Sequence, residues 1–169
     1  MKTLLLMRHA KSSWKEPKLK DRERPLNKRG RKTAPRMGEL IKEKELIPQL
    51  ILSSSAVRAR QTAEIVVTSG GCGCEVKYLD SLYMGEPDDY LKQLRKLPDS
   101  IERVLVIGHN PGLEALMQIL SGKVAALPTA AIAYLTLPID SWKNLYEDSK
   151  GELNEVWRPK EIIGDMKDD

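Results

Sequence analysis

Two stretches, LLLM (4–7) and VLVIG (104–108), are apolar at every position. A strand with one wet face reads as alternating apolar and polar residues, so a strand that is apolar throughout must be covered on both sides. Helices packed on the two faces of a parallel sheet supply that cover. These runs therefore point to an α/β chain, a three-layer α/β/α sandwich around a mostly parallel central sheet.

The rest of the chain fits that alternation. QLILSS, CEVKYL, AAIAYLTL and GELNEVWRP read as further strands with helical segments between them. Asn27 is placed to cap a first helix carrying Met37, Leu40 and Ile41, and Pro35 inside it predicts a kink or a late start. Ser54 or Ser55 is placed to cap a second helix, AVRARQTAEIVVTS, which closes at Gly70-Gly71. Pro87 with the acids after it opens a third. Asn110 is positioned as the cap of a fourth, with Pro111 at its first turn. One domain over residues 1–160 is expected, followed by a loose tail over 161–169. The polar connection after His9, HAKSSWKEPKLKDRERPL, is long for a compact domain, a length that points to function.

Composition removes several function classes. The 169 residues are 41% hydrophobic and 31% charged with a net charge of +4, enough for one folded core and unlike a disordered chain. Basic residues alternate with acidic ones and only 5% of residues are aromatic, which argues against nucleic acid as a partner and fits an anionic substrate or phosphorylated partner. No apolar run approaches the ~20 residues of a membrane span. Arg8 also interrupts MKTLLLM before a signal-peptide core is complete, so no membrane association and a cytoplasmic location are expected. Cys72 and Cys74 in GGCGCE lack the second ligand pair of a structural zinc site. Neither a metal nor another cofactor is implied.

The chemistry gathers at strand ends, where ligands bind in open α/β sheets. The chain has two histidines, His9 and His109, and each directly follows an apolar strand. Arg8 precedes the first, and Arg58 stands near the start of the helix after LILSS. A forked guanidinium suits phosphate oxygens, a helix N-terminus such as the one after GHNPG favours an anion, and a neutral imidazole can attack phosphorus. Nearby cations lower an imidazole pKa and keep it neutral. GHNPG lacks the Gly-Lys-Ser/Thr ending of a nucleotide-binding P-loop. Nor are the carboxylate and histidine ligands of a metal phosphatase collected anywhere.

LLLMRHAKSSW resembles the Arg-His-Gly signature of the histidine phosphatase superfamily, with Ala10 in place of the glycine. RPLNKRGRKTA, SSSAVRARQTAE and VLVIGHNPGL resemble the family's next three segments, in order, from Met1 to about Leu137. The Arg-His-Ala form and the short chain resemble the SixA-like phosphohistidine phosphatase branch. The resemblance implies a phosphoglycerate mutase-like fold and a nucleophilic His9 that carries a phosphohistidine intermediate. It also implies a phosphate pocket completed by Arg8, Arg58 and His109. Arg24 matches a position that adds a phosphate or substrate contact; Lys11, Ser12 and Asn110 stand close in sequence to the same site.

One family feature is missing. The glutamate many relatives carry before the fourth helix falls on Ser81 in LDSLYMG, with Asp80 beside it and Glu86 just beyond. An alkoxide leaving group needs a proton, and a positioned general acid contributes about 10²–10⁴-fold. Imidazole, with a conjugate-acid pKa of about 6.5, leaves far more easily. The expected substrate is therefore a phosphohistidine-bearing protein, of the kind a phosphorelay uses. The alternatives are a small phosphorylated molecule, with Asp80 or Glu86 recruited as acid, and phosphate binding without turnover.

Overall fold

The computed structural model describes residues 1–164. Its strands are β1 (Lys2–Arg8), β2 (Leu50–Ser54), β3 (Glu75–Leu79), β4 (Arg103–Gly108), β5 (Ile132–Leu137) and β6 (Glu152–Trp157), and its α-helices are α1 (Lys28–Glu43), α2 (Val57–Ser69), α3 (Pro87–Arg95), α4 (Gly112–Ser121) and α5 (Pro159–Ile163). The strands form one sheet in the order β3-β2-β4-β1-β5-β6. β1, β2, β3 and β4 are parallel, while β5 runs antiparallel to β1 and β6 antiparallel to β5.

The apolar runs are explained by two cores, one on each face. Leu4 and Leu6 of β1, Leu52 of β2 and Val106 of β4 pack with Leu91 and Leu94 of α3 and with Leu113 and Met117 of α4. The intervening residues Leu5, Met7, Ile51 and Leu105 pack with Met37 and Ile41 of α1 and with Ala63 and Val66 of α2. Successive side chains of a strand point to opposite faces, so both parities must be apolar.

Neighbouring strands β1 and β4 align Arg8 with Gly108. The residues that follow, His9 and His109, therefore leave the sheet side by side. The register persists one step further, because the His9 N–H donates to the Gly108 carbonyl at 3.2 Å. Position 108 has to be glycine: a Cβ there would overlap the Tyr90 hydroxyl, which accepts the His109 N–H at 3.2 Å.

Helix ends depart from expectation in three places. Asn27 does cap α1, accepting the Gly30 N–H at 2.8 Å, but the helix begins at Lys28 and continues through Pro35 rather than starting late. The cap and the burial of Met37, Leu40 and Ile41 offset the single donor that Pro35 removes. The cap position of α2 is Ala56, not Ser54 or Ser55; its N–H donates back to the Ser54 hydroxyl at 3.2 Å. Pro111, not Asn110, occupies the cap position of α4. Asn110 instead donates from Nδ2 to the Glu114 carboxylate at 2.7 Å and to the Leu127 carbonyl at 2.9 Å, an orientation in which its Oδ1, the atom a cap would use, is buried without a partner in the protein.

Gly70 and Gly71 close α2 as expected, with Gly71 at φ 65°. Helix α5 takes in the start of the expected tail, and 165–169 lie outside the described residues. No helix among the described residues is long and apolar enough to cross a membrane.

Candidate active site

A cavity of about 300 Å³ lies where β1, β2 and β4 deliver the chain into their following segments. Arg8 and His9 reach it from β1, Arg58 from the first turn of α2, and His109 and Asn110 from the segment after β4. The connection after His9 folds over to add Lys11, Ser12, Trp14, Asp21 and Arg24. The structure thus brings together His9, Arg8, Arg58, His109, Arg24 and Asn110. The α4 amides are not part of the lining: the Leu113 N–H is taken by the His109 carbonyl at 3.0 Å.

The two imidazoles are close, with ring centroids 5.1 Å apart, and each is tied through a different nitrogen. His9 Nδ1 lies 2.7 Å from the Ala10 carbonyl, which can only accept, so Nδ1 carries the proton. Its Nε2 therefore keeps a lone pair, and the Arg58 Nε–H donates to it at 3.3 Å. Thr62 fixes the Ala10 peptide by accepting its N–H at 3.0 Å while donating to the Arg58 carbonyl at 2.7 Å. His109 is held through Nε2, 2.8 Å from the Ser54 hydroxyl.

Both rings are held neutral. Burial pushes His9 from 6.5 down to about 3; the Ala10 hydrogen bond opposes this, while His109, Arg58 and Arg8 reinforce it. Burial likewise lowers His109 from 6.5 to about 4, helped by Arg58 and opposed by Asp21.

Asp21, unmarked in the sequence, is the one carboxylate among the described residues lining the cavity. It ties the cationic wall together. Arg58 Nη2 donates to one of its oxygens at 2.9 Å and Arg24 Nε to the other at 3.1 Å, while the Tyr83 hydroxyl donates at 2.7 Å. The Tyr83 bond first, then Arg58 and Arg24, depress its pKa to about 2 against the opposing effect of burial. It is an anion at neutral pH, not a proton donor.

The two acids considered from sequence stand elsewhere, and neither lines the cavity. Asp80 is exposed and pairs with Arg22; hydrogen bonds from Ser55 and Arg22 lower its pKa. Glu86 occupies the cap position of α3, where its N–H donates to Asp89 at 2.8 Å. Among the described residues no group of three or more His, Cys, Asp or Glu is placed to hold a metal ion.

Two further features escaped sequence reasoning. Trp14 is 75% exposed at the cavity rim, and the Arg24 guanidinium sits 3.5 Å from its ring centre. Ser54 is fully buried behind His109. Ser54 did carry a signal, since serines closing the apolar run QLILSS are polar groups forced into a buried strand. Asp21 carried none: it is one of two acids set among basic residues in KDRERPL.

Comparison with known proteins follows the same geometry. The sequence profile of the histidine phosphatase superfamily (branch 1) matches residues 4–83. An uncharacterized chloroplastic protein of Arabidopsis thaliana is 33% identical over 153 residues, covering 85% of this chain and 70% of that protein. An uncharacterized protein of Mycobacterium tuberculosis is 32% identical over 140 residues, covering 76% and 85% respectively. Among solved structures, the protein histidine phosphatase SixA complexed with tungstate superposes with a TM-score of 0.81 at 26% identity, covering 95% of this chain and 99% of that one. The alpha-ribazole phosphatase from Shigella flexneri shares the fold, with a TM-score of 0.69 at 14% identity over 93% of this chain and 96% of that one.

Proposed function

Because this chain belongs to the histidine phosphatase superfamily, we propose that it is a phosphatase that works through a phosphohistidine on His9 and takes protein-bound phosphohistidine as its substrate. The observation that carries this reading is the unprotonated His9 Nε2, held beside the Arg58 guanidinium in a cavity that Arg8 and His109 also line. A nucleophilic lone pair surrounded by donors is what in-line phosphoryl transfer requires, since the transition state spreads charge over three equatorial oxygens.

His9 Nε2 forms a bond to phosphorus as the P–N bond of the substrate breaks, and the departing imidazole takes a proton from solvent. Arg8, Arg58 and His109 hold the three transferring oxygens. Water then attacks phosphorus, the P–Nε2 bond breaks, the water proton passes to solvent, and inorganic phosphate leaves. Arg24 and Asn110 line the same cavity and contact the phosphoryl group or the substrate around it.

Two observations favour phosphohistidine over a phosphate ester. The cavity carboxylate, Asp21, is held as an anion and has no proton to give an alkoxide. Asp80 and Glu86, which a small-molecule monoesterase would recruit, do not line the cavity. A protein substrate is favoured by the rim, where Trp14 and Met84, 75% and 53% exposed, flank the opening. Large apolar side chains beside a polar site are typical of surfaces that receive a protein. The tungstate complex of the SixA relative supports a site for a tetrahedral oxyanion.

The test is a substrate panel: a phosphohistidine protein, a phosphoserine peptide, sugar phosphates and an aryl phosphate, with native enzyme and with Asp80→Asn and Glu86→Gln. Preference for the phosphohistidine protein, unchanged in both variants, is expected. Alkyl phosphate turnover at a comparable rate that collapses in either variant would replace this reading with the small-molecule one.

A further inference from the structure

We propose that Ser54 is a positioning residue that fixes His109 as the Nδ1–H tautomer, so that the histidine meets a phosphoryl oxygen as a donor rather than as a second nucleophile. The assignment of Nδ1–H to a phosphoryl oxygen rests on the function proposed above; the tautomer does not.

Ser54 and His109 are 0% and 2% exposed, so water does not satisfy what the protein leaves open. The Ser54 hydroxyl already accepts the Ala56 N–H at 3.2 Å and lies 2.8 Å from His109 Nε2. His109 Nδ1 is buried without a partner in the protein. Two proton arrangements are open. If Nε2–H donates to Ser54, the serine proton is buried without an acceptor and Nδ1 is a buried lone pair without a donor. Both losses carry desolvation costs. If Ser54 donates to Nε2 instead, the hydroxyl is fully used. The single group left over is then an Nδ1–H donor on a ring that lines an anion cavity.

Backbone geometry sets the direction of this relay. The Ala56 amide precedes α2 and can only donate, so the serine oxygen accepts from it and keeps its own proton for the imidazole. The chain of donors runs Ala56 N–H to Ser54, Ser54 O–H to His109 Nε2, and His109 Nδ1–H to the ligand. His9 carries the same tautomer, because the Ala10 carbonyl can only accept from Nδ1, but there the protonated nitrogen is the one tied to the protein and the bare Nε2 is left beside Arg58. Two chemically identical rings are thus given different roles by the group behind each one.

Nitrogen-15 NMR on histidine-labelled protein at neutral pH tests the tautomer directly. The native protein is expected to show a protonated, pyrrole-type Nδ1 and a pyridine-type Nε2 on His109, and Ser54→Ala is expected to move the ring toward Nε2–H. In Ser54→Ala the rate of phosphoryl transfer should fall on the order of tenfold, the scale of one hydrogen bond, with KM changed less than kcat. Ser54→Thr should restore both tautomer and rate. A pyrrole-type Nε2 in the native protein, or an unshifted tautomer in Ser54→Ala, overturns the assignment. A native Nδ1–H tautomer in a protein with no turnover on any substrate would sink the phosphatase reading and leave the Ser54 assignment standing.

Discussion

β1 and β4 lie side by side, run in the same direction and each end in a histidine, yet the chain treats the two ends differently. After β4 it passes almost at once into α4, and its histidine is boxed in by Tyr90 and Ser54. After β1 it wanders through a long polar connection that returns Asp21 and Arg24 to the cavity. On the function proposed above, the β1 end offers a lone pair to incoming phosphorus and the β4 end a fixed donor. Equal residues at equal strand positions acquire unequal chemistry from what surrounds them.

The largest effect should separate the two histidines. His9→Gln is expected to abolish phosphoenzyme formation and lower kcat by at least ~10⁴-fold, on the scale seen for removal of a nucleophile. His109→Gln is expected to keep detectable labelling of His9 and lose about 10²–10³-fold, as for one oxyanion donor. Rapid quench with labelled substrate distinguishes them; equal losses, or label on His109, would break the comparison.

Arg58 and Arg8 come next. Alanine at either position should cost about 2.7–4 kcal/mol of transition-state stabilisation. The defect should appear in kcat, and a loss confined to KM would assign them to ground-state binding alone. Arg58→Ala should also release Asp21 from one of its partners and raise its pKa.

Both imidazoles should then be tested by pH. In the folded protein His9 and His109 resist protonation until about 3 and 4, whereas in the unfolded chain they take a proton near 6.5. Between those values the unfolded state binds more protons, so stability rises with pH across the window. Thermal melting should fall steadily as pH drops from about 7 to about 4, and His9→Asn should flatten that dependence. NMR titration showing either ring protonating near 6.5 would contradict the burial argument.

The smallest effect concerns the rim. Trp14→Ala should lower kcat/KM several-fold on a phosphohistidine protein, in the range of one peripheral interface contact at about 1 kcal/mol, and leave aryl phosphate turnover unchanged. Equal effects on both substrates would mean that Trp14 serves only to hold Arg24.

Strands, helices and the residues at strand ends were legible because each rests on local pattern. Unbroken apolar runs demand two covered faces, and His9, Arg8, Arg58 and His109 follow from where those runs stop. The helix caps were less legible: Asn110 turned its amide nitrogen to Glu114 and Leu127, and Ala56 took the cap position of α2 while Ser54 turned toward His109. These outcomes depend on partners the local sequence does not contain.

Sequence by itself determined the layered α/β architecture and the four charged or titratable groups delivered to one end of the sheet. Tertiary structure alone decided that Asp21 is the cavity carboxylate, that Asp80 and Glu86 stand outside it, and that the two histidines are tied through different nitrogens. The reason is distance along the chain. Asp21 meets Tyr83 across 62 positions and Ser54 meets His109 across 55. Burial and hydrogen bonding are settled between such partners only once the sheet has brought them together.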